Sequence, residues 1–235
     1  MTSTGPRRTG AGGSGARARQ ATLQPRAQAT RQAILTAAAE RFARYGYYAT
    51  SLDSVLADSG GTKGALYFHF ASKEALARAV ISVMMQRWGE LRVQVGRRGL
   101  DPLSTLLALA DEAVIRLIEN PIARGGMRLL NDLPLHAQAA REHYGLSERD
   151  TRELLEQAAH AGLLRDGLEP APLARQIVAM IAGHRQISEA LGDRDSLRQR
   201  VDEAWALLLP AIASPTWLTT WSPHPPDSGP GDTPG

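Results

Sequence analysis

Residues 62–74 read TKGALYFHFASKE. They hold the chain's only two lysines, Lys63 and Lys73, two of its three phenylalanines, a tyrosine and a histidine. Cations and ring edges this close together suit contact with a polyanion whose bases are also within reach. Thr62 and Lys63 stand where a short helix would open, and the amide groups of a helix N-terminus already favour phosphate. Tyr67 follows Lys63 by four residues, on the same helical face. It can offer a hydroxyl to phosphate or a ring edge to a thymine methyl. Gly64 and Ala65 permit close approach. His69 would close the helix near a nucleic-acid backbone, and Lys73 would open the next helix beside phosphate. Leu66, Phe68 and Phe70 are expected in the core.

Positioning such a strip requires short helices around it. Ile34, Ala38 and Phe42 recur at four-residue spacing, and Gly46 stops that helix. Thr50 or Ser51 can cap a second helix carrying Leu52, Val55 and Leu56, which ends at Gly60-Gly61. Thr62 opens the third. Ser72 caps a long fourth helix, with Glu74 in the first turn and Leu76, Val80, Val83, Leu91 and Val95 approximating one face. Three short helices with a glycine turn between the second and third make a helix-turn-helix, whose third helix enters the major groove. Beyond residue 100 the periodicity stays helical, from a segment opening near Pro102 through 124–130, 147–161, 172–191 and 196–212. No stretch alternates like a strand. The expected fold is all-α: an N-terminal three-helix helix-turn-helix DNA-binding domain over 25–75, and a C-terminal helical ligand-binding and dimerisation domain over 76–213. Residues 1–24 read as a disordered basic arm, and 214–235 as a disordered Pro/Gly-rich tail in which only Trp217 and Trp221 are core-forming.

Composition narrows the function classes. Hydrophobic residues make up 43 % of 235, and there are no cysteines, which excludes disulfides, thiolate zinc sites and thiol nucleophiles. No apolar run approaches the roughly 18 residues of a membrane span, so no membrane partner and a cytoplasmic location are expected. The first 39 residues carry six arginines (Arg7, Arg8, Arg17, Arg19, Arg26 and Arg31) and no acid, leaving the rest mildly acidic. A basic arm on such a body suits nucleic acid. GAGGSG at 10–15 matches a dinucleotide fingerprint literally, but no strand precedes it. Neither G-x-S-x-G nor H-E-x-x-H is present. His136 and His143, two helical turns or about 10 Å apart, are too distant to share a metal. No enzyme activity, metal or cofactor is expected.

Residues 31–80, RQAILTAAAERFARYGYYATSLDSVLADSGGTKGALYFHFASKEALARAV, closely resemble the DNA-binding domain of the TetR family of bacterial repressors. TKGALYFHFASKEALA is especially similar to the γ-butyrolactone receptor branch, which controls antibiotic production. The resemblance implies a homodimer on a palindromic operator, released when a small-molecule effector enters the C-terminal domain. Carried over by position, it puts groove and phosphate contacts on Thr62, Lys63, Gly64, Tyr67, His69 and Lys73, with Thr50 and Ser51 touching the DNA backbone. Two departures stand out. Gly61 occupies a position usually apolar in this family. The receptors also commonly present a tryptophan shortly before the LL matched by Leu154-Leu155, and EHYGLSERDTRELL has none. An antibiotic-pathway metabolite, or another signal, is therefore nearly as good a candidate effector as a simple butyrolactone.

For the effector pocket, polar or aromatic residues on apolar faces point to Met84 and Trp88, Met127 and Asn131, Tyr144 just ahead of the helix at Ser147, and His184. For the homodimer, segments 172–191 and 196–212 are apolar around more of their circumference than one core face needs. The competing expectation is a constitutive dimeric DNA-binding regulator with no ligand.

Overall fold

The computed structural model describes residues 13–132 and 136–221, with side chains from Pro25 onward. Among them run ten helices: α1 (Gly13–Ala49), α2 (Leu52–Ser59), α3 (Lys63–His69), α4 (Lys73–Gly96), α5 (Pro102–Glu119), α6 (Pro121–Asn131), α7 (Ala137–His160), α8 (Pro170–Leu191), α9 (Leu197–Ile212) and α10 (Pro215–Leu218). No strand occurs among the described residues. The all-α expectation is met.

Local chemistry explains most boundaries. Gly46 breaks α1 with a φ of 75°, a left-handed value that glycine adopts without a Cβ penalty. Ser51 and Ser54 cap α2 reciprocally, and Gly60 ends it at φ 64°. Thr62 Oγ1 accepts the Ala65 N–H and Ser72 Oγ accepts the Ala75 N–H, opening α3 and α4. Asp101 and Asn120 cap α5 and α6, each followed by a proline in the first turn.

Ile34, Leu35 and Phe42 of α1, Val55 of α2, Leu66 of α3 and Phe70 just after it, and Leu76 and Val80 of α4 form the core of the N-terminal unit. That core is continuous with the larger half through α6, which wedges between α1 and α4. The wedge depends on two glycines. A Cβ on Gly125 would stand 2.4 Å from the Ala39 carbonyl oxygen, and one on Gly126 would stand 2.5 Å from the Met84 sulfur.

Three expectations are corrected. Residues 13–24 continue α1 instead of forming an irregular arm; the alanines, arginines, glutamines and leucine there are strong helix formers. Residues 1–12, with Arg7 and Arg8, lie outside the described residues, as do 222–235. Helix α7 opens at Ala137, ten residues before Ser147, and tolerates Gly145 in its interior. The chain after Ala213 docks: Trp217 is buried, its Nε1 donates to Asp101 (3.2 Å), and Trp221 packs on the core. Ser214 N donates to Leu163 O (2.8 Å), and Arg165 N to Ile212 O (2.9 Å), pinning the chain on either side of Ala213.

Candidate nucleic-acid interface and ligand cavity

Helix α3 has only seven residues, so its faces are assigned by barely two turns. Leu66 and Phe70 are buried, at 1 % and 3 % exposure. Thr62, Lys63, Gly64 and Tyr67 are exposed, and a Cβ added at Gly64 would meet nothing within 4 Å. Thr62 uses an oxygen lone pair for capping and keeps its hydroxyl hydrogen for an outside acceptor. Ser51, also exposed, is in the same position. His69 is half-buried at the last turn, its ring against those of Phe68 and Phe70.

Phe68 is corrected. At 81 % exposure it is no core residue. It sits two positions from Leu66, about 200° around the helix, so the turn that buries Leu66 faces Phe68 outward. A helical wheel drawn from Leu66 would have found it.

Two other expected contacts serve the protein instead. Thr50 is buried, and its hydroxyl donates to the Gly46 carbonyl (2.8 Å), closing the break in α1. The Lys73 ammonium, expected beside phosphate, donates to the carbonyls of Tyr47 and Thr50, both at 3.0 Å, and lies 4.4 Å from the Tyr47 ring centroid. From the opposite side Asp132, at the end of α6, accepts the Tyr47 N–H at 2.6 Å. The turn between α1 and α2 is thus gripped by the first residue of α4 and the residue after α6. Carbonyls left by the Gly46 break need donors, and a lysine reaches two at once.

Gly61 needs no left-handed backbone, unlike Gly60. A Cβ there would meet Ser59 Oγ at 3.3 Å and Ile34 Cγ1 at 3.7 Å. Gly61→Val is therefore expected to raise the thermal midpoint, through a fraction of the roughly 1.5–3 kcal/mol of a buried valine. A lower midpoint in a calorimetric scan would mean that the Ser59 hydroxyl cannot give way.

Helices α4 to α8 line a partly open cavity of about 200 Å³. Trp88, Met127 and Tyr144, named from sequence for an effector pocket, lie in its lining. Met84, Asn131 and His184 do not. Met84 is buried against Gly126, and its neighbour Met85 takes the wall position. Asn131 is exposed, one turn beyond Met127. On α8 the wall is made by Ile177, Ile181 and Arg185 at four-residue spacing, which turns His184 aside. Sequence reasoning missed the polar part of the lining. Because α7 starts early, His143, Ser147, Asp150 and Leu154 fall on one helical face and all reach the cavity.

The electrostatics of that lining are uneven. Arg185 is 3 % exposed, donates from Nη1 to Glu189 Oε1 (2.9 Å), and has a buried Nε with no partner. Arg92 pairs with Asp150. Burial pushes the His143 imidazole down to about 4, and the nearby Arg185 and Arg92 add to the effect, so it is neutral near pH 7. Trp88 Nε1 is also buried without a partner.

Comparison with known proteins matches this arrangement. Residues 34–80 fit the family model of bacterial regulatory proteins of the tetR family. The chain is 34 % identical over 192 residues to the A-factor receptor protein of Streptomyces griseus, a match that covers 82 % of this chain and 67 % of the relative. A γ-butyrolactone receptor described as ArpA-like has a TM-score of 0.71 at 28 % identity, covering 82 % of this chain and 92 % of that one. CprB from Streptomyces coelicolor, solved in complex with its biological operator sequence, gives the same TM-score and identity, covering 83 % and 94 %. The likeness runs through both the reading head and the cavity-bearing half, and the chain belongs to the TetR family of bacterial regulatory proteins.

Proposed function

We propose that the chain is a ligand-responsive transcriptional repressor, a homodimer that holds a palindromic operator through α3 and releases it when a small signalling molecule enters the cavity. The effector is γ-butyrolactone-like or an antibiotic-pathway metabolite, and the protein works in the cytoplasm as a binding protein without enzymatic turnover. The observation that carries this reading is one chain with an exposed, cap-opened face of Thr62, Lys63, Gly64 and Tyr67, mechanically joined to a largely apolar cavity. The cavity favours a sensor over a constitutive binder. Phe68 joins the DNA face as an apolar surface suited to a thymine methyl.

A dimer supplies the second reading helix, since two half-sites lie about 34 Å apart. Ile187 and Leu191 on α8 and Leu207 on α9 are 49 %, 65 % and 82 % exposed, and pairing these helices with a second copy would cover them.

The coupling runs through α6. Met127 touches the cavity, Gly125 and Gly126 lock α6 to α1 and α4, and Asp132 holds the turn that leads into α2. A ligand that favours a displaced α6 therefore also favours a displaced reading head, and only such differential affinity drives release. A coupling of about 1–3 kcal/mol is typical.

Sequencing the genomic fragments retained by the purified protein tests the reading directly; inverted repeats are expected, and no enrichment over random fragments would overturn it. Tyr67→Ala is expected to weaken operator binding by about 1–3 kcal/mol if the ring meets base edges. Lys63→Ala is expected to weaken all duplexes alike and to flatten the salt dependence by about one. A changed sequence preference in Lys63→Ala would reassign that residue from phosphate to bases.

A further inference from the structure

We propose that the effector is an acidic amphiphile: an apolar body ending in a carboxylate or comparably acidic oxygen, with the anion held by Arg185 and a second acceptor meeting Trp88. This deepens the effector reading above and rests on it.

The cavity asks for acceptors. Arg185 Nε and Trp88 Nε1 are both buried, both without a partner, and both belong to side chains in the wall. Neither group can accept a hydrogen bond, so a ligand that reaches them after a small side-chain rotation satisfies them only by bringing lone pairs. An unmade bond at a buried donor is unfavourable, which gives a fitting ligand an advantage before any apolar contact is counted.

The cavity also asks for negative charge. Its wall carries two guanidinium groups, Arg92 and Arg185, against one carboxylate, Asp150, which is already paired with Arg92. Glu189 partners Arg185 from outside the wall and is itself part-exposed, so it takes only one edge of the guanidinium. His143 adds no charge near neutral pH and lies in the positive field of both arginines. The rest of the lining is mostly aliphatic, from Leu106, Leu117 and Ile181 among others, and sets the apolar character of the body. A neutral carbonyl oxygen has two lone pairs and can meet more than one donor, but without charge assistance. A carboxylate satisfies two and makes charge-assisted bonds, roughly twice as strong as neutral ones.

Three probes on one carbon skeleton separate these cases: octanoate, octanamide and γ-octalactone, titrated calorimetrically into the full chain at pH 7.5. Octanoate is expected to bind at least tenfold more tightly than either neutral probe. Arg185→Gln is expected to bring octanoate to the level of octanamide and to leave octanamide unchanged. Glu189→Gln, which frees the other edge of the guanidinium, is expected to tighten octanoate alone. Equal or tighter binding of a neutral probe overturns the assignment, as does binding by none of the three, or an acid preference that survives Arg185→Gln. If circular dichroism shows Arg185→Gln unfolded, Glu189→Gln decides, and an unchanged acid-to-amide ratio overturns the assignment. Operator retention, read in parallel by gel shift, keeps the two readings apart. Release by γ-octalactone but not octanoate overturns the acid site and leaves the repressor reading standing. Tight octanoate binding with the operator still held shows an anion site but overturns its role as the effector site.

Discussion

Lys73→Met is expected to lower the thermal midpoint by roughly 6–12 °C, taking a loss of about 3 kcal/mol and about 2–4 °C per kcal/mol for a chain of this size. The ammonium donates to two main-chain carbonyls at 3.0 Å and sits over the Tyr47 ring. Methionine keeps the stem and removes both bonds. Hydrogen bonds from a charged donor contribute about 1.5–3 kcal/mol each, and water at this half-buried site restores part of that. The functional signature separates this role from a DNA contact. At temperatures where the variant is folded, its salt dependence of DNA binding should equal that of the parent, whereas Lys63→Ala flattens it. An unchanged midpoint with a flattened slope would return Lys73 to the phosphate backbone.

Gly125→Ala is the second large effect. The new Cβ lands 2.4 Å from the Ala39 carbonyl oxygen and 2.8 Å from its Cα, so the clash is with backbone. Helices α1 and α6 must part, because no rotamer change relieves it. Overpacking of this kind typically costs about 1–3 kcal/mol, against a gain of up to about 1 kcal/mol from alanine's helix propensity. A net loss of about 1 kcal/mol, roughly 2–4 °C, is expected in a calorimetric scan, with weaker operator binding even well below the midpoint, since α1 carries the turn into α2. Gly126→Ala should fall less, because the Met84 sulfur at 2.5 Å can swing away on a flexible side chain, although its Cβ at 2.9 Å still crowds the site. A raised midpoint for Gly125→Ala would mean that the two helices do not touch at Ala39.

The second effect concerns α6, a helix expected over 124–130 whose packing the sequence did not reveal. Paired glycines in RGGM weaken the helix propensity of a segment that still reads as helical. In the fold those glycines are what lets two backbones meet. Asn131 illustrates the same limit: four residues from Met127, it seemed to share a wall, but the cavity ends before the last turn of α6. Arg185 is the clearest omission. An arginine amid Ile177, Ile181 and Ile187 reads as a solvated residue on an apolar helix, yet it is almost fully buried. An i, i+4 acid, Glu189, was the available signal, and it also fits an ordinary surface pair.

Stops, caps and periods were legible from the chain alone. Gly46, Ser51, Gly60, Thr62 and Ser72 act on groups within four residues, so their chemistry is complete in a short window. The helix-turn-helix and the outward face of Lys63 and Tyr67 follow from those windows. The direction of Lys73, the burial of Arg185 and the docking of Trp217 on Asp101 do not. Each is set by partners brought close in space, as far as 116 positions away for Trp217 and Asp101. Periodicity says which residues share a helical face; what that face meets depends on how the helices pack.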